Sequence, residues 1–399
     1  MIKDSKKIRE ALSRGVKKIY PDRQSLEKKL LSGKKLKIYN GIDPTGKLHL
    51  GHTVVFRKLR QFQDLGHEII VLIGDFTATI GDPTDKEATR KPLTGEQVLR
   101  NAKDYKKQIG KFLDLRKANI RFLHNEKWTN KLKPEDILEL ASHFTVARLL
   151  ERDMFQKRIK DGKDIHVHEF LYPIFQAYDS VAMDIDLEIG GNDQTFNMLA
   201  GRTLMKKIKN KEKFVLTTKL LIDPQGKKMG KTEGNIVNLD ESPEKMYGKI
   251  MSWPDGLIGI GFELCTIIPI DEINKISSQI KKRIINPREA KARLAREIVS
   301  VCYRKEAARR AEMEFNRVFK KKELPSRIPV VKLKSKTFNI LDLLVITKLA
   351  PSKSEAKRLI LQGGVKISGK AQINWKVNVE IKKGLIIQVG KRKFVKIKI

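Results

Sequence analysis

The sequence predicts an α/β protein: a parallel-sheet domain with helices on both faces, then an α-helical domain, then a small α+β unit. Three observations carry this expectation. Between residues 35 and 238, short apolar runs alternate with helical segments, the pattern of a parallel sheet covered on both sides. Residues from about 242 to 320 follow helical periodicity almost throughout. The last 63 residues return to short helices and strands and hold fourteen basic against three acidic side chains, an excess of +11. The expected division is therefore 1–238, 239–320, a linker at 321–336, and 337–399.

Taken in order, residues 1–33 read as a basic helix, because Ile8, Leu12, Val16 and Ile19 lie close to helical spacing. Residues 36–40 form the first expected strand, and a helix follows from about 51 to 65. Residues 68–73 are a β-prone apolar run bounded by Gly66 and Gly74, the second strand. Residues 94–114 read as helix and 120–123 as a third strand. In the helical domain, Asn286 and Pro287 open one helix as N-cap and first-turn proline, with Leu294, Ile298 and Cys302 along one face. Pro325 and Pro329 among lysines mark the linker. Beyond it, 341–345 begins one helix, 352–362 is a second, and Gly363-Gly364 turns into strands.

Composition bounds the function classes. Hydrophobic residues make up 40% of the 399 and charged residues 33%, which excludes wholesale disorder. Lys and Arg number 83 against 47 Asp and Glu, a formal charge of +36. That excess answers either a polyanionic partner, nucleic acid first, or a Lys- and Ile-rich composition. Two cysteines, Cys265 and Cys302, exclude a disulfide framework and a multi-cysteine zinc site, and read as buried thiols. No run of about 18 apolar residues crosses a membrane, and the N-terminus lacks the apolar core of a secretory signal. The expected compartment is the cytoplasm.

Two constellations carry chemistry. His49-Leu50-Gly51-His52 follows a strand and opens a helix. Imidazoles at i and i+3 can donate to phosphate oxygens there, Gly51 admits a close ligand, and the helix N-terminus favours negative charge. Lys228-Met229-Gly230-Lys231-Thr232 places two cations about a glycine, able to close over a triphosphate and neutralise charge as pyrophosphate departs. Alone, each also reads as ordinary surface. Their order along an α/β pattern is more specific than either.

With these motifs the chain resembles the class I aminoacyl-tRNA synthetases, and its other motifs resemble the bacterial-type tyrosyl-tRNA synthetases. Those motifs are Tyr39-Asn40-Gly41-Ile42-Asp43-Pro44-Thr45, Ile80-Gly81-Asp82-Pro83-Thr84, the stretch 172–179, and Gly190-Gly191-Asn192-Asp193-Gln194. Residues 337–399 resemble an S4 RNA-binding domain. The Gly74-Asp75-Phe76-Thr77 run looks like one bacterial subgroup, and Gly230 departs from the serine that many class I enzymes carry.

The resemblance implies a Rossmann-like catalytic domain that activates L-tyrosine with ATP and Mg²⁺ and then charges tRNA(Tyr), as a homodimer. It gives Tyr172, Gln176 and Asp82 to the tyrosine ammonium, and Tyr39 and Asp179 to its hydroxyl. Gln194 falls near the α-carbonyl. On the nucleotide side it gives Gly41, Asp43, Thr45, Gly51, Gly190, Gly191, Asp193, Lys86, Arg90, Met229 and Thr232. His49, His52, Lys228 and Lys231, with Thr45, would stabilise the transition state. No protein-bound metal is expected. Tyr172, Gln176 and Asp179 also share one helix face among Phe170, Leu171, Ile174 and Phe175, as a lined polar pocket requires. A phenol-matched pair would reject phenylalanine by leaving buried polar groups unpaired. Tryptophanyl-tRNA synthetases share the fold and the His and Lys motifs but lack that pair and the S4-like unit. The family places part of its dimer interface in 130–165, where Leu138, Ala141, Phe144, Leu149 and Phe155 supply apolar surface; a buried core helix fits those residues equally.

Overall fold

A computed structural model of the chain describes residues 1–82, 93–222, 236–319, 324, 328–333, 335–390 and 393–398. It divides into two compact units, Met1–Arg309 and Arg310–Ile399.

The first unit is built on six strands: β1 Val16–Tyr20, β2 Lys37–Ile42, β3 Glu68–Ile73, β4 Ile120–His124, β5 Leu187–Gly191 and β6 Phe214–Thr218. Their order is β1-β6-β5-β2-β3-β4. All neighbours pair in parallel except β1, which runs antiparallel to β6. In β3, Ile69, Ile70, Val71, Leu72 and Ile73 are all buried, as a parallel strand covered on both faces demands. The helix after β2, Leu50–Asp64, turns Val54, Val55, Phe56, Leu59 and Phe62 into the core.

Residues 1–33 are not one helix. Ser5–Ala11 is helical, with the Asp4 carboxylate accepting from Lys6 N and Lys7 N, and Arg23–Leu31 is a second helix. Between them Gly15, at φ 66°, turns the chain into β1. Val16 and Ile19 do continue the helical spacing of Leu12, but β-branched residues beyond a left-handed glycine join the sheet instead. Lys17 and Lys18 stay exposed on this edge strand. The expected helix at 94–114 is also broken, into Gly95–Ala102 and Tyr105–Ile109. Tertiary anchors hold each piece to the loop after β2: Asn101 Nδ2 donates to the Pro44 carbonyl at 2.7 Å, and the Tyr105 hydroxyl to the Gly46 carbonyl.

Five helices follow, Pro243–Met251, Leu257–Cys265, Ile270–Lys281, Pro287–Cys302 and Lys305–Phe319. Asn286 caps its helix by accepting from Arg288 N at 2.9 Å, and Leu294, Ile298 and Cys302 are buried. Burial pushes the Cys265 thiol up to about 11 and the Cys302 thiol to about 12, so neither is reactive.

The second unit packs helices Ile340–Ile346 and Lys353–Leu361 on a five-stranded sheet. Part of the expected linker belongs to that sheet. Val330–Lys332 pairs in parallel with Lys393–Lys398, and Leu333 is buried in the core. Pro329 and the surrounding lysines conceal this short edge strand in the sequence, where proline and lysine are typical edge residues. Within 130–165, Phe155 is 0% exposed and Leu149 is buried, so both belong to the core of the chain itself; Leu138 is 72% exposed.

Candidate active site

In an open parallel sheet, ligands bind beyond the strand C-termini where the strand order reverses. Here that point lies between β2 and β5. The two strands pair only at Ile38–Leu187 and Tyr39–Glu188. Beyond them they diverge, and Asn40 Nδ2 reaches across to the Ile189 carbonyl at 2.8 Å. Gly41, Asp43 and Thr45 leave the end of β2; Gly190, Gly191, Asp193 and Gln194 leave the end of β5. The sheet topology therefore gathers most of the expected site at one cleft. At Gly191 a Cβ would meet the Asp193 carboxylate and come within 3.1 Å of Leu220. A Cβ on Gly190 would lie 2.9 Å from Met198 Sδ.

His49 is the N-cap of the Leu50–Asp64 helix. Its Nδ1 accepts from Gly51 N at 3.1 Å, and His52 Nδ1 accepts from His49 N at 3.1 Å. A backbone N–H can only donate, so each neutral imidazole carries its proton on Nε2. The ring centroids are 4.1 Å apart, which presents two N–H donors side by side at a helix N-terminus. A Cβ on Gly51 would lie 2.9 Å from the His49 ring, so the glycine also makes room for that ring. Leu50 N donates to the Val237 carbonyl, and Leu239 N to the Leu48 carbonyl. The chain that follows residue 235 thus runs beside the histidines.

Tyr172, Gln176 and Asp179 share one face of the helix Val167–Met183. The Tyr172 hydroxyl donates to Asp43 Oδ2 at 2.8 Å, and Thr77 Oγ1 to Asp43 Oδ1 at 2.7 Å. Asp43, expected on the nucleotide side, thus accepts from Tyr172 with one oxygen and from Thr77 with the other. Asp82 accepts from Gln194 Nε2 at 2.8 Å and Arg152 Nη2 at 3.2 Å. The Tyr172 phenol is held well above its usual range by burial, then by Asp43 and Asp82, with Asp179 contributing. These carboxylates around one phenol make the pocket acidic, which suits an ammonium group.

Asp179 is 2% exposed. Trp128 Nε1 donates to its Oδ1 at 2.8 Å and Asn125 Nδ2 to its Oδ2 at 3.2 Å. Burial raises its carboxyl well above the ordinary range; the two donors oppose that, and Glu188 and Asp43 add to it. The Tyr39 phenol is buried beside Ser180 Oγ at 3.2 Å, raised by burial and by Glu188 and Asp179. Asn125 ties the pocket together, since it also donates to Thr77 Oγ1 at 3.1 Å and accepts from Phe76 N at 2.9 Å.

Sequence reading missed Trp128, Asn125, Thr77 and Arg152. Asn125 directly follows β4 and Thr77 lies just beyond β3, at the edge where strands of a parallel sheet end, and that position was the available signal. Lys86, Arg90, Lys228, Met229, Lys231 and Thr232 lie outside the described residues.

The family model of class I tRNA synthetases (W and Y) matches residues 31–320, and that of the tyrosine–tRNA ligase SYY-like C-terminal domain matches 320–397. Tyrosine–tRNA ligase of Moorella thermoacetica is 45% identical over 391 residues, 97% of this chain and 94% of the relative. That of Thermotoga maritima is 46% identical over 388 residues, 97% and 96%. A C-terminally truncated mitochondrial tyrosyl-tRNA synthetase of Coccidioides posadasii is similar in structure, with TM-score 0.62, 25% identity, and 77% of this chain and 91% of that one covered. The Archaeoglobus fulgidus tyrosyl-tRNA synthetase complexed with L-tyrosine, at 21% identity and TM-score 0.61 over 77% and 99%, shows the same fold. The chain belongs to the class I tRNA synthetases, in the tyrosyl-tRNA synthetase family.

Proposed function

We propose that this chain is a tyrosine–tRNA ligase that makes tyrosyl-adenylate from L-tyrosine and ATP and then transfers tyrosyl to the 3′-terminal ribose of tRNA(Tyr). The observation that carries the reading is the cleft between β2 and β5. An acidic, phenol-lined pocket ends there at Asp179, and a pair of imidazole N–H donors at a helix N-terminus stands at the same sheet edge.

A carboxylate oxygen of tyrosine attacks the α-phosphorus of ATP, and the bond from that phosphorus to the bridging oxygen of the β-phosphate breaks. No protein nucleophile is required. The chain contributes positioning and charge stabilisation. Nε2 of His49 and His52 would donate to phosphate oxygens, and Lys228 and Lys231 would neutralise the departing pyrophosphate. ATP would bring Mg²⁺ as part of the substrate. Gln176, Asp82 and Tyr172 would hold the ammonium, and Asp179 with Tyr39 the phenol.

The remaining assignments belong to the same proposal. Residues 239–320 would serve anticodon recognition, and the S4-like unit at 337–399 would grip folded RNA through its +11 excess. Leu138, Val146, Ile159 and Val167 are exposed, Val167 at 78%, and support a homodimer through this region. Among the described residues no helix is long and apolar enough to cross a membrane; the proposed compartment is the cytoplasm. ATP–pyrophosphate exchange with each amino acid in turn tests the reading. Tyrosine is expected to drive exchange, and exchange driven by tryptophan alone overturns it.

A further inference from the structure

Behind the pocket helix lies a polar cluster sealed from solvent. Lys213, just before β6, and Glu188, within β5, are 0% and 2% exposed and form an ion pair. The ammonium also donates to Ser180 Oγ at 2.8 Å and the Met198 carbonyl at 3.2 Å, so its three protons meet three acceptors. Gly201 makes the space: a Cβ there would collide with Lys213 Nζ. Two charges taken out of water carry a desolvation cost that their attraction must offset. No step of the activation chemistry uses them directly.

The second oxygen of Glu188 accepts from Gln176 Nε2 at 3.0 Å. A carboxylate only accepts, so Gln176 must turn its NH₂ toward Glu188. Its carbonyl oxygen then faces the opposite way. Gln176 is half-buried between buried Phe175 and Ala177, on the helix face it shares with Tyr172 and Asp179.

We propose that the buried Lys213–Glu188 pair is a positioning device that fixes the polarity of the Gln176 amide, so that Gln176 offers an acceptor to the ammonium of the amino-acid substrate. This rests on the tyrosine reading above and deepens it. Lys213 claims one Glu188 oxygen and Gln176 donates to the other, while the Tyr39 phenol also lies close to this carboxylate.

Glu188→Gln tests this with nearly unchanged volume. The new amide oxygen goes to Lys213, so its NH₂ faces Gln176. Gln176 then flips to accept, and its own NH₂ meets the substrate ammonium. The dissociation constant for L-tyrosine should rise by roughly 10- to 100-fold, the loss of a hydrogen bond to a charged group. That for 3-(4-hydroxyphenyl)propionate, which lacks the amino group and meets Glu188 only through Tyr39, should rise far less. The swap Gln176→Glu with Glu188→Gln restores an acceptor toward the ammonium and should recover most of the tyrosine affinity. If Glu188→Gln does not fold, Lys213→Met with Glu188→Leu replaces the ions by apolar side chains, and the same selective loss for tyrosine is expected. Equal weakening of both ligands, no weakening, or no recovery in the swap overturns the proposal. Wild-type protein that binds neither ligand overturns the tyrosine reading instead.

Discussion

Trp128→Phe keeps an aromatic ring in place and removes one donor from Asp179. The indole N–H donates to Oδ1 at 2.8 Å, and Asn125 supplies the only other described donor, at 3.2 Å. These bonds hold the charged carboxylate against burial and against the nearby charges of Glu188 and Asp43. At 2% exposure, water does not replace a lost donor. A hydrogen bond to a charged group contributes about 1.5–3 kcal/mol, which is roughly 10- to 150-fold in an equilibrium constant. The loss falls on the ionised form. The carboxyl, already raised, climbs further, which favours the protonated form that no longer acts as a pure acceptor. The KM for tyrosine should rise by that factor while the KM for ATP stays put, because nothing on the nucleotide side has changed. Raising the pH restores the carboxylate, so the defect should shrink as pH increases. Tyrosine-dependent exchange, measured from about pH 6 to about pH 9 with a thermal melt at each point, reads both effects. A tyrosine KM within about threefold of wild type at neutral pH, or an equal rise in the KM for ATP, would refute the reasoning.

Gly74→Ala should lower the exchange rate by about 10-fold or more, because its Cβ would collide with Asp43 Oδ1 and Thr77 Oγ1 and displace the carboxylate that Tyr172 and Thr77 hold. Gly95→Ala meets nothing within 4 Å and serves as the control. His67, buried with Nδ1 accepting from Leu36 N, titrates at about 4 instead of 6.5, chiefly through burial and then through the N-terminal ammonium. The unfolded chain therefore binds a proton that the folded one refuses between those values, and stability falls by about 3 kcal/mol as pH drops from 6.5 to 4. Urea melts across that window should show the slope, and His67→Gln should flatten it. A chain ending at Leu324 should keep tyrosine-dependent exchange and lose tRNA charging. Its tRNA affinity should fall less steeply with salt than that of the full chain, which loses roughly 0.7–0.9 decades per decade of salt for each phosphate neutralised; equal slopes would mean that the C-terminal charge is only surface.

What could be read in the sequence was whatever a local pattern determines. Residues 69–73 are apolar without interruption, and only a strand covered on both faces needs that. The glycines at 41, 190 and 191 lie at strand ends and the histidines at 49 and 52 open the helix that follows one of them, and a parallel sheet brings these termini to one edge whatever the exact order. Val16 and Ile19 failed for the opposite reason: their spacing of three suits a helix, and only a positive φ at Gly15 and a register irregularity between Val16 and Lys18 put them in a strand. Glu188 is the more instructive case. A carboxylate between Leu187 and Ile189 in a buried strand requires a partner. Its partner was not visible in the sequence, because Lys213 meets it only once β5 and β6 are neighbours, and Gln176 only once the helix Val167–Met183 lies across them. The same holds for Trp128 and Asp179, 51 residues apart. Residues that touch a substrate sit in motifs because substrate geometry constrains them together. Residues that aim those side chains are constrained by packing, and packing is a property of which elements become neighbours.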